Sequence, residues 1–277
     1  MPEGDTIWLT AQRLREALAE RELTTADLRT PALATVDLTG RRVTQVLSRG
    51  KHLLIRVDGR VTLHSHLRMD GSWRVQAAGE RWRGGPGWQV RAVLGNVRRV
   101  AIGYRLPVLD LLPTSEEHRV VGHLGPDLLG ADWDAAEAVR RLVADPGRPV
   151  GEALLDQRVL AGIGNVYKSE LCFLRGITPW TPVADVPEPE RLVALAKRTL
   201  EANKNRVGHV TTGDTRPGRR HWVYGQAGRP CRRCGTTVVG AEQGPPGQAR
   251  ITFWCLVCQD GPAPAPTRRT PTPPSTY

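Results

Sequence analysis

No stretch of the 277-residue chain approaches the ~18 consecutive apolar residues of a membrane-spanning helix, which excludes an integral helical membrane protein. Cysteine is scarce, five residues in all, and four of these fall into two C-x-x-C pairs. That usage points to a metal site in a reducing cytosol, not to an extracellular disulfide framework. The start, MPEGDTIW, carries Glu3 and Asp5 and lacks the basic and apolar segments of a signal peptide. Neither G-x-S-x-G nor H-E-x-x-H occurs, so the usual esterase and zinc-protease signatures are missing. SRGK at 48–51 is not a phosphate-cradling P-loop, because Gln45 stands where that loop needs its first glycine. No internal repeat is visible. Acidic residues are also in deficit, 28 against 39 basic, giving a formal charge of +11 and a pI near 10.2. An excess of that size favours a polyanionic partner. The expectation is a soluble, cytoplasmic protein that binds something anionic.

The length suits two domains plus appendages. Asp5 is expected to cap a helix over about residues 6–20, where Ile7, Ala11, Leu14 and Leu18 recur at helical spacing. From Arg42 the pattern changes to short Val-, Leu- and Ile-rich segments. VTQVLS, HLLIRV, VTLHSHL, SWRVQ, QVRAVLG and RRVAIGY predict consecutive strands to about Tyr104, separated by turns such as Asp58-Gly59 and Asp70-Gly71. A helix feeding successive strands suggests a β-sandwich half, not alternating βαβ units. Past Pro113 the segments at 131–145, 150–160, 165–176 and 189–205 read as helices punctuated by prolines. The expected boundaries are 1–115, 116–215, a Gly- and Arg-rich module at 216–260, and a disordered Pro-rich basic tail at 261–277.

Cys231, Cys234, Cys255 and Cys258 suit one structural zinc ion. Each C-x-x-C places two thiolates on one knuckle, and TTVV and ITFW predict a hairpin that joins the knuckles. Four thiolates fill a tetrahedral shell, so this is not a catalytic zinc; four reduced core cysteines are the alternative. Cys172, on the apolar face of SELCFL, reads as core. Seven arginines and one acid, Glu242, lie between Arg216 and Gln259, a composition suited to phosphate contact or to a plain solvated surface. In LLDQRVLAGIGNVYKSELCF, Gly162 and Gly164 allow a tight turn and Asn165 opens the following helix, whose N-terminus can grip a phosphate. His64 and His66 alternate onto one strand face, where they serve either structure or a metal. If Met1 is removed, Pro2 becomes a secondary amine. An α-amino group titrates near ~7.7–8.0, so part of it is unprotonated at neutral pH and able to attack a sugar C1′. Glu3 beside it can serve as general acid.

PEGDT at the start, SRGKHLL near residue 50, GIGNVYKSEL in the middle and CRRC…RITFWCLVC at the end occur in this order. Together they resemble the formamidopyrimidine-DNA glycosylase/endonuclease VIII family of bifunctional base-excision repair enzymes, from Pro2 to about Gln259. The resemblance implies an α+β protein: an N-terminal β-sandwich with a flanking helix, a helical helix–two-turns–helix domain and a zinc-ribbon hairpin, with DNA lying across the cleft between domains. It implies that Pro2 displaces the damaged base and holds the sugar as an iminium, while Glu3 assists ring opening. Lys51 would grip phosphate and support β-elimination, Arg250 would hold phosphate and assist δ-elimination, and Asn165 would contact the backbone. Glu170 matches a family acidic position.

In HLRMDG, by similarity, Arg68 and Met69, with Asp70 beside them, fill the gap left by an extruded base. The second wedge of the formamidopyrimidine branch, an Arg-Phe-Gly loop, is missing from GYRLPVLDLL. HLGPDLL and PEGDT look closer to endonuclease VIII, with His123 at a DNA-contact position usually held by Arg. The resemblance therefore implies oxidised pyrimidines over 8-oxoguanine, in damaged double-stranded DNA, with single-stranded or bubble DNA left open. It also implies a monomer with one zinc and no organic cofactor. Two alternatives stay open: a non-catalytic DNA-binding protein of this fold, and one restricted to abasic sites. The twenty residues between the cysteine pairs predict a longer or flexible loop around Gly240–Gln248.

Overall fold

The first helix, α1 (Gly4–Leu18), buries Ile7, Ala11, Leu14 and Leu18, the stripe its sequence spacing predicts. Its N-cap is Glu3, however, and not Asp5. Glu3 is extended (φ −120°, ψ −175°) and its carbonyl accepts the Ile7 N–H at 3.0 Å. Asp5 lies inside the first turn, where its Oδ1 accepts the Thr6 N–H at 2.7 Å and its charge complements the positive helix end. This computed structural model describes residues 2–264, so the expected tail lies, from residue 265 on, outside the described residues.

Nine strands follow: β1 (Arg21–Glu22), β2 (Thr25–Leu28), β3 (Arg42–Arg49), β4 (His52–Val57), β5 (Val61–His66), β6 (Ser72–Ala77), β7 (Val90–Gly95), β8 (Arg99–Tyr104) and β9 (Val108–Pro113). They form two antiparallel sheets, ordered β1-β3-β4-β5-β9 and β2-β7-β8-β6. One apolar core unites both sheets with α1, through residues such as Leu14, Val46, Ile55, Leu63, Trp73 and Leu94. The six strands expected from sequence are present; β1, β2 and β9 are additions. β9 pairs along the whole of β5, from Val61↔Pro113 to His66↔Val108. Its sequence, VLDLLP, has too little alternation to announce a strand without that partner.

The chain divides into two compact units between His123 and Leu124, downstream of the 115/116 boundary expected from sequence. A short helix, α2 (His118–Val121), belongs to the first unit because Glu117 anchors the preceding turn. Its carboxylate accepts Arg56 Nε and Nη2 at 2.8 and 2.6 Å and the Thr62 hydroxyl at 2.7 Å. Burial pushes the Glu117 carboxyl up, but the Arg56 and Thr62 bonds outweigh it and the net shift is downward.

The second unit carries α3 (Ala135–Leu142), α4 (Val150–Leu155), α5 (Asn165–Arg175), α6 (Pro189–Asn203) and a hairpin of β10 (Val238–Gln243) and β11 (Arg250–Cys255). Asp134 caps α3 by accepting the Glu137 N–H, and left-handed Gly176 ends α5. Leu142, Leu154, Tyr167, Leu171 and Leu192 share one core; Phe173, Val223, Val238 and Phe253 form a second beneath the hairpin. Cys172 is fully buried, and burial pushes its thiol up to about 12. The hairpin corrects the expectation of a long loop around Gly240–Gln248. Gly240 through Gln243 pair with Phe253 through Arg250, so much of the extra length is strand. Among the described residues, no helix is long and apolar enough to cross a membrane.

Candidate functional site

Two groups of side chains stand out, one on each unit. On the first, Pro2 is half-buried and Glu3 is fully buried at the head of α1, so α1 fixes the backbone from which Pro2 projects. Lys51 lies in the Gly50-Lys51 turn that joins β3 to β4, with Gly50 in the left-handed region at φ +55°. The turn sets Lys51 beside the imidazoles of His52 and His66, which face each other across β4 and β5. His52 Nδ1 bonds His64 Nε2 at 2.9 Å, and His64 Nδ1 lies 3.4 Å from Asp110 Oδ2. The ring of His66 is 4.9 Å from that of His52, edge to face, and His123 completes the cluster at 6.0 Å. Burial, reinforced by neighbouring imidazoles and Lys51, lowers His52 to about 3. Burial beside Lys51 and Arg68 lowers His66 to about 4. Burial also lowers His64, although Asp110 opposes it. His52, His64 and His66 are therefore neutral at pH 7, and the local positive charge comes from Lys51 and Arg68.

The HLRMDG turn grows from the same cluster. His66 Nδ1 accepts the Arg68 N–H at 3.0 Å, Arg68 holds φ +45°, and Gly71 N–H closes the turn on Leu67 O at 2.9 Å. A Cβ on Gly71 would come within 2.7 Å of that oxygen, so the turn demands glycine. Arg105 Nε steadies the far side through Asp70 O at 3.3 Å. Arg68 is thus exposed on a constrained turn, with Met69 beside it at 41% exposure.

On the second unit, Gln157 clamps the glycine turn before α5. Its Oε1 accepts the Gly162 N–H at 3.0 Å while its Nε2 donates to Leu155 O and Ile163 O. Asn165 heads α5 and donates from Nδ2 to Ile251 O at 2.8 Å, which brings it to the strand that begins with exposed Arg250. Asn165 is itself 5% exposed and sits at the positive end of the α5 dipole. Lys168 is buried, with its ammonium on the Thr252 hydroxyl.

Glu170 is fully buried. Its carboxylate accepts the backbone N–H groups of Trp222, Val223 and Tyr224 at 2.8, 2.9 and 2.8 Å, and the Thr211 hydroxyl as well. It therefore ties the segments around 211 and 222–224 to α5. Four of the seven arginines in this module have partners within the protein. Arg216 pairs with Asp214, Arg220 bonds Thr215 O, Arg232 bonds backbone carbonyls, and Arg233 lies 4.3 Å over the Phe173 ring. Sequence composition could not separate these structural arginines from Arg250.

Cys231, Cys234, Cys255 and Cys258 converge with all four sulfurs within 4.8 Å of one another. Cys231 Sγ lies 3.9 Å from Cys258 Sγ and Cys234 Sγ 3.5 Å from Cys255 Sγ. Tetrahedral zinc, with Zn–S near ~2.3 Å, requires sulfurs roughly 3.8 Å apart, so the donor set fits. Burial, then the neighbouring sulfurs, raise Cys258, the electrostatic crowding that a divalent cation relieves.

Residues 1–102 match the formamidopyrimidine-DNA glycosylase N-terminal domain, and residues 124–210 match the formamidopyrimidine-DNA glycosylase H2TH domain. A "probable endonuclease 8 2" of Streptomyces coelicolor is 61% identical over 272 residues, 98% of each chain. A "DNA-(apurinic or apyrimidinic site) lyase Nei2" of Mycolicibacterium smegmatis is 49% identical over 262 residues, 94% of this chain and 99% of that one. Among solved structures, the Lactococcus lactis Fpg protein with abasic-site DNA superposes with a TM-score of 0.75 at 21% identity, over 94% of this chain and 100% of that one. That similarity shows a shared fold, while the identities to the endonuclease 8 proteins run nearly end to end. The chain belongs to the formamidopyrimidine-DNA glycosylase/endonuclease VIII family, on its endonuclease 8 side.

Proposed function

We propose that this protein is a bifunctional DNA glycosylase and abasic-site lyase of base excision repair. It removes oxidised bases, pyrimidines before 8-oxoguanine, from damaged double-stranded DNA and then cuts the strand. The observation that carries the reading is the head of α1, where half-buried Pro2 stands next to Glu3, the buried N-cap residue of the helix. The end-to-end identity to a protein named as an endonuclease 8 supports it.

With Met1 removed, the Pro2 nitrogen attacks C1′ of the lesion nucleotide. The C1′–base bond breaks, the base leaves with its electron pair and takes up a proton, Pro2 gives up its N–H proton, and breaking of the C1′–O4′ bond as O4′ is protonated leaves the opened sugar as an iminium on Pro2. Glu3 supplies the proton that opens the sugar ring. Loss of a C2′ proton expels the 3′ phosphate, and a second elimination expels the 5′ phosphate. Lys51 and Arg250 hold those phosphates, and Asn165 at the α5 N-terminus holds a backbone phosphate. Arg68 and Met69, on their constrained turn, fill the space of the extruded nucleotide, and His123 contacts the DNA beside Lys51. The four cysteines hold one structural zinc ion, which keeps the strand carrying Arg250 in register. The protein acts as a cytoplasmic monomer on the chromosome.

Borohydride reduction on abasic duplex tests this directly. Wild type is expected to give a covalent protein–DNA adduct and Pro2→Gly almost none. Undiminished trapping by that variant removes Pro2 from the mechanism, and salt-sensitive DNA binding without any trapping or nicking would leave a non-catalytic binder. Equal cutting of abasic duplex with no release of thymine glycol would restrict the enzyme to abasic sites.

A further inference from the structure

The connection between β6 and β7, residues 78–89, has the sequence AGERWRGGPGWQ. It lies outside the groups described above, yet it exposes two of the largest apolar side chains in the protein. Trp88 is 73% exposed and Trp82 37%. Exposed indoles are ordinary on a floppy loop; this connection is pinned along its length. Gln76 Nε2 donates to Glu80 O at 2.8 Å, and its Oε1 accepts the Arg83 N–H at 3.3 Å. Gly84 lies flat on the buried Tyr104 ring, so close that a Cβ there would come within 2.6 Å of Cε2. Gln89 O accepts the Arg105 N–H at 2.8 Å, and Arg91 Nη1 holds Trp88 O at 2.9 Å. The backbone is therefore built to present both tryptophans outward.

Their surroundings are basic. Exposed Arg81 and Arg83 flank Trp82, the guanidinium of Arg29 lies 5.6 Å from its ring, and Arg91 follows on β7. Asp27 is already paired with Arg29 at 2.7 Å, which leaves Glu80 as the acidic side chain within the connection. A ligand that fits must offer negative charge together with flat apolar faces. Nucleic acid with unpaired bases offers both, because phosphates meet the guanidinium groups and each base presents a π face. Duplex bases are stacked on one another and present no such face.

We propose that the β6–β7 connection is a second nucleic-acid contact surface, on which Trp82 and Trp88 stack unpaired bases of a single strand while Arg81 and Arg83 hold its phosphates. It goes beyond the chemistry at Pro2 and does not depend on it. The surface would seat the enzyme on DNA with a single-stranded stretch, such as a bubble or a fork.

The test uses the full chain and lesion-free oligothymidylate, followed by anisotropy and by tryptophan fluorescence. Wild type is expected to bind in a salt-dependent manner with quenching of the indole emission. Trp82→Ala/Trp88→Ala is expected to bind at least tenfold more weakly and lose most of the quenching, and Trp82→Phe/Trp88→Phe to keep most of the affinity. Unchanged affinity and quenching in the alanine variant would overturn the proposal. So would tryptophan-dependent binding to phosphatidylglycerol vesicles while oligothymidylate binding ignores the substitutions. Borohydride trapping on abasic duplex is run on every variant; failure there would count against the Pro2 chemistry and leave the oligothymidylate result readable.

Discussion

Glu170→Gln is expected to destabilise the second unit by about 3 kcal/mol, more than any comparable exchange of a surface carboxylate. The carboxylate accepts four hydrogen bonds with no water-exposed oxygen: Val223 and Tyr224 N–H on Oε1, Trp222 N–H and the Thr211 hydroxyl on Oε2. An amide keeps one oxygen and turns the other into a donor. The Thr211 hydroxyl adapts, because it can accept from the new NH2 and donate to Arg220 O at 3.2 Å instead. The Trp222 N–H cannot turn, and it is left facing another donor. A buried donor without an acceptor costs ~1–3 kcal/mol, and the surviving bonds weaken further from ~1.5–3 kcal/mol each once the charge is gone. The sum, about 3 kcal/mol, corresponds to a fall of roughly 6–12 °C in Tm for a unit of this size. Urea and thermal unfolding of the full chain with saturating zinc would measure it. Thr211→Val, which removes a single adaptable hydroxyl, is expected to cost only about 1 kcal/mol. A Glu170→Gln protein within 0.5 kcal/mol of wild type, by the same ~1–3 kcal/mol reasoning, would refute the claim that this carboxylate organises the segment.

Acid should weaken the first unit through its histidines. Their folded pKa values lie below the ordinary 6.5, at about 3 for His52 and about 4 for His66, so their contribution is complete above pH 6.5 and falls as pH drops from there toward 4. Tm measured across that range should decline in wild type and decline less in His52→Phe; an identical slope would remove the cluster as the cause. For the cysteine site, metal analysis is expected to find one zinc per chain, and Cys234→Ser to lose it together with much of the salt-sensitive DNA affinity. Full zinc content in that variant would exclude Cys234 as a ligand.

The legible part of the site was the part written in short spacings. Two C-x-x-C pairs announce four converging thiolates because two intervening residues already bring each pair onto one knuckle. The glycines before Asn165 announce a turn into a helix, and helical recurrence of Ile7, Ala11, Leu14 and Leu18 announces the buried stripe of α1. Capping was less legible. Both Glu3 and Asp5 are acidic residues near the start, and only the backbone dihedrals separate a cap from a first-turn residue. The arginine-rich module was legible only as a charge count, which does not reveal that Arg233 stacks on Phe173 or that Arg216 is matched by Asp214.

By itself the amino-acid order determined α1, the six strands β3 to β8, the C-terminal hairpin, the metal-ligand set and the run of motifs from Pro2 to Cys258, because each depends on residues a few positions apart. Only the tertiary structure decided that β9 lies beside β5, that His52 meets His64, that Asn165 reaches Ile251 and that Glu170 holds residues 222–224. Those contacts join segments far apart along the chain. Which of them form is settled by the cooperative burial of a whole core and the closure of long loops, not by any local pattern.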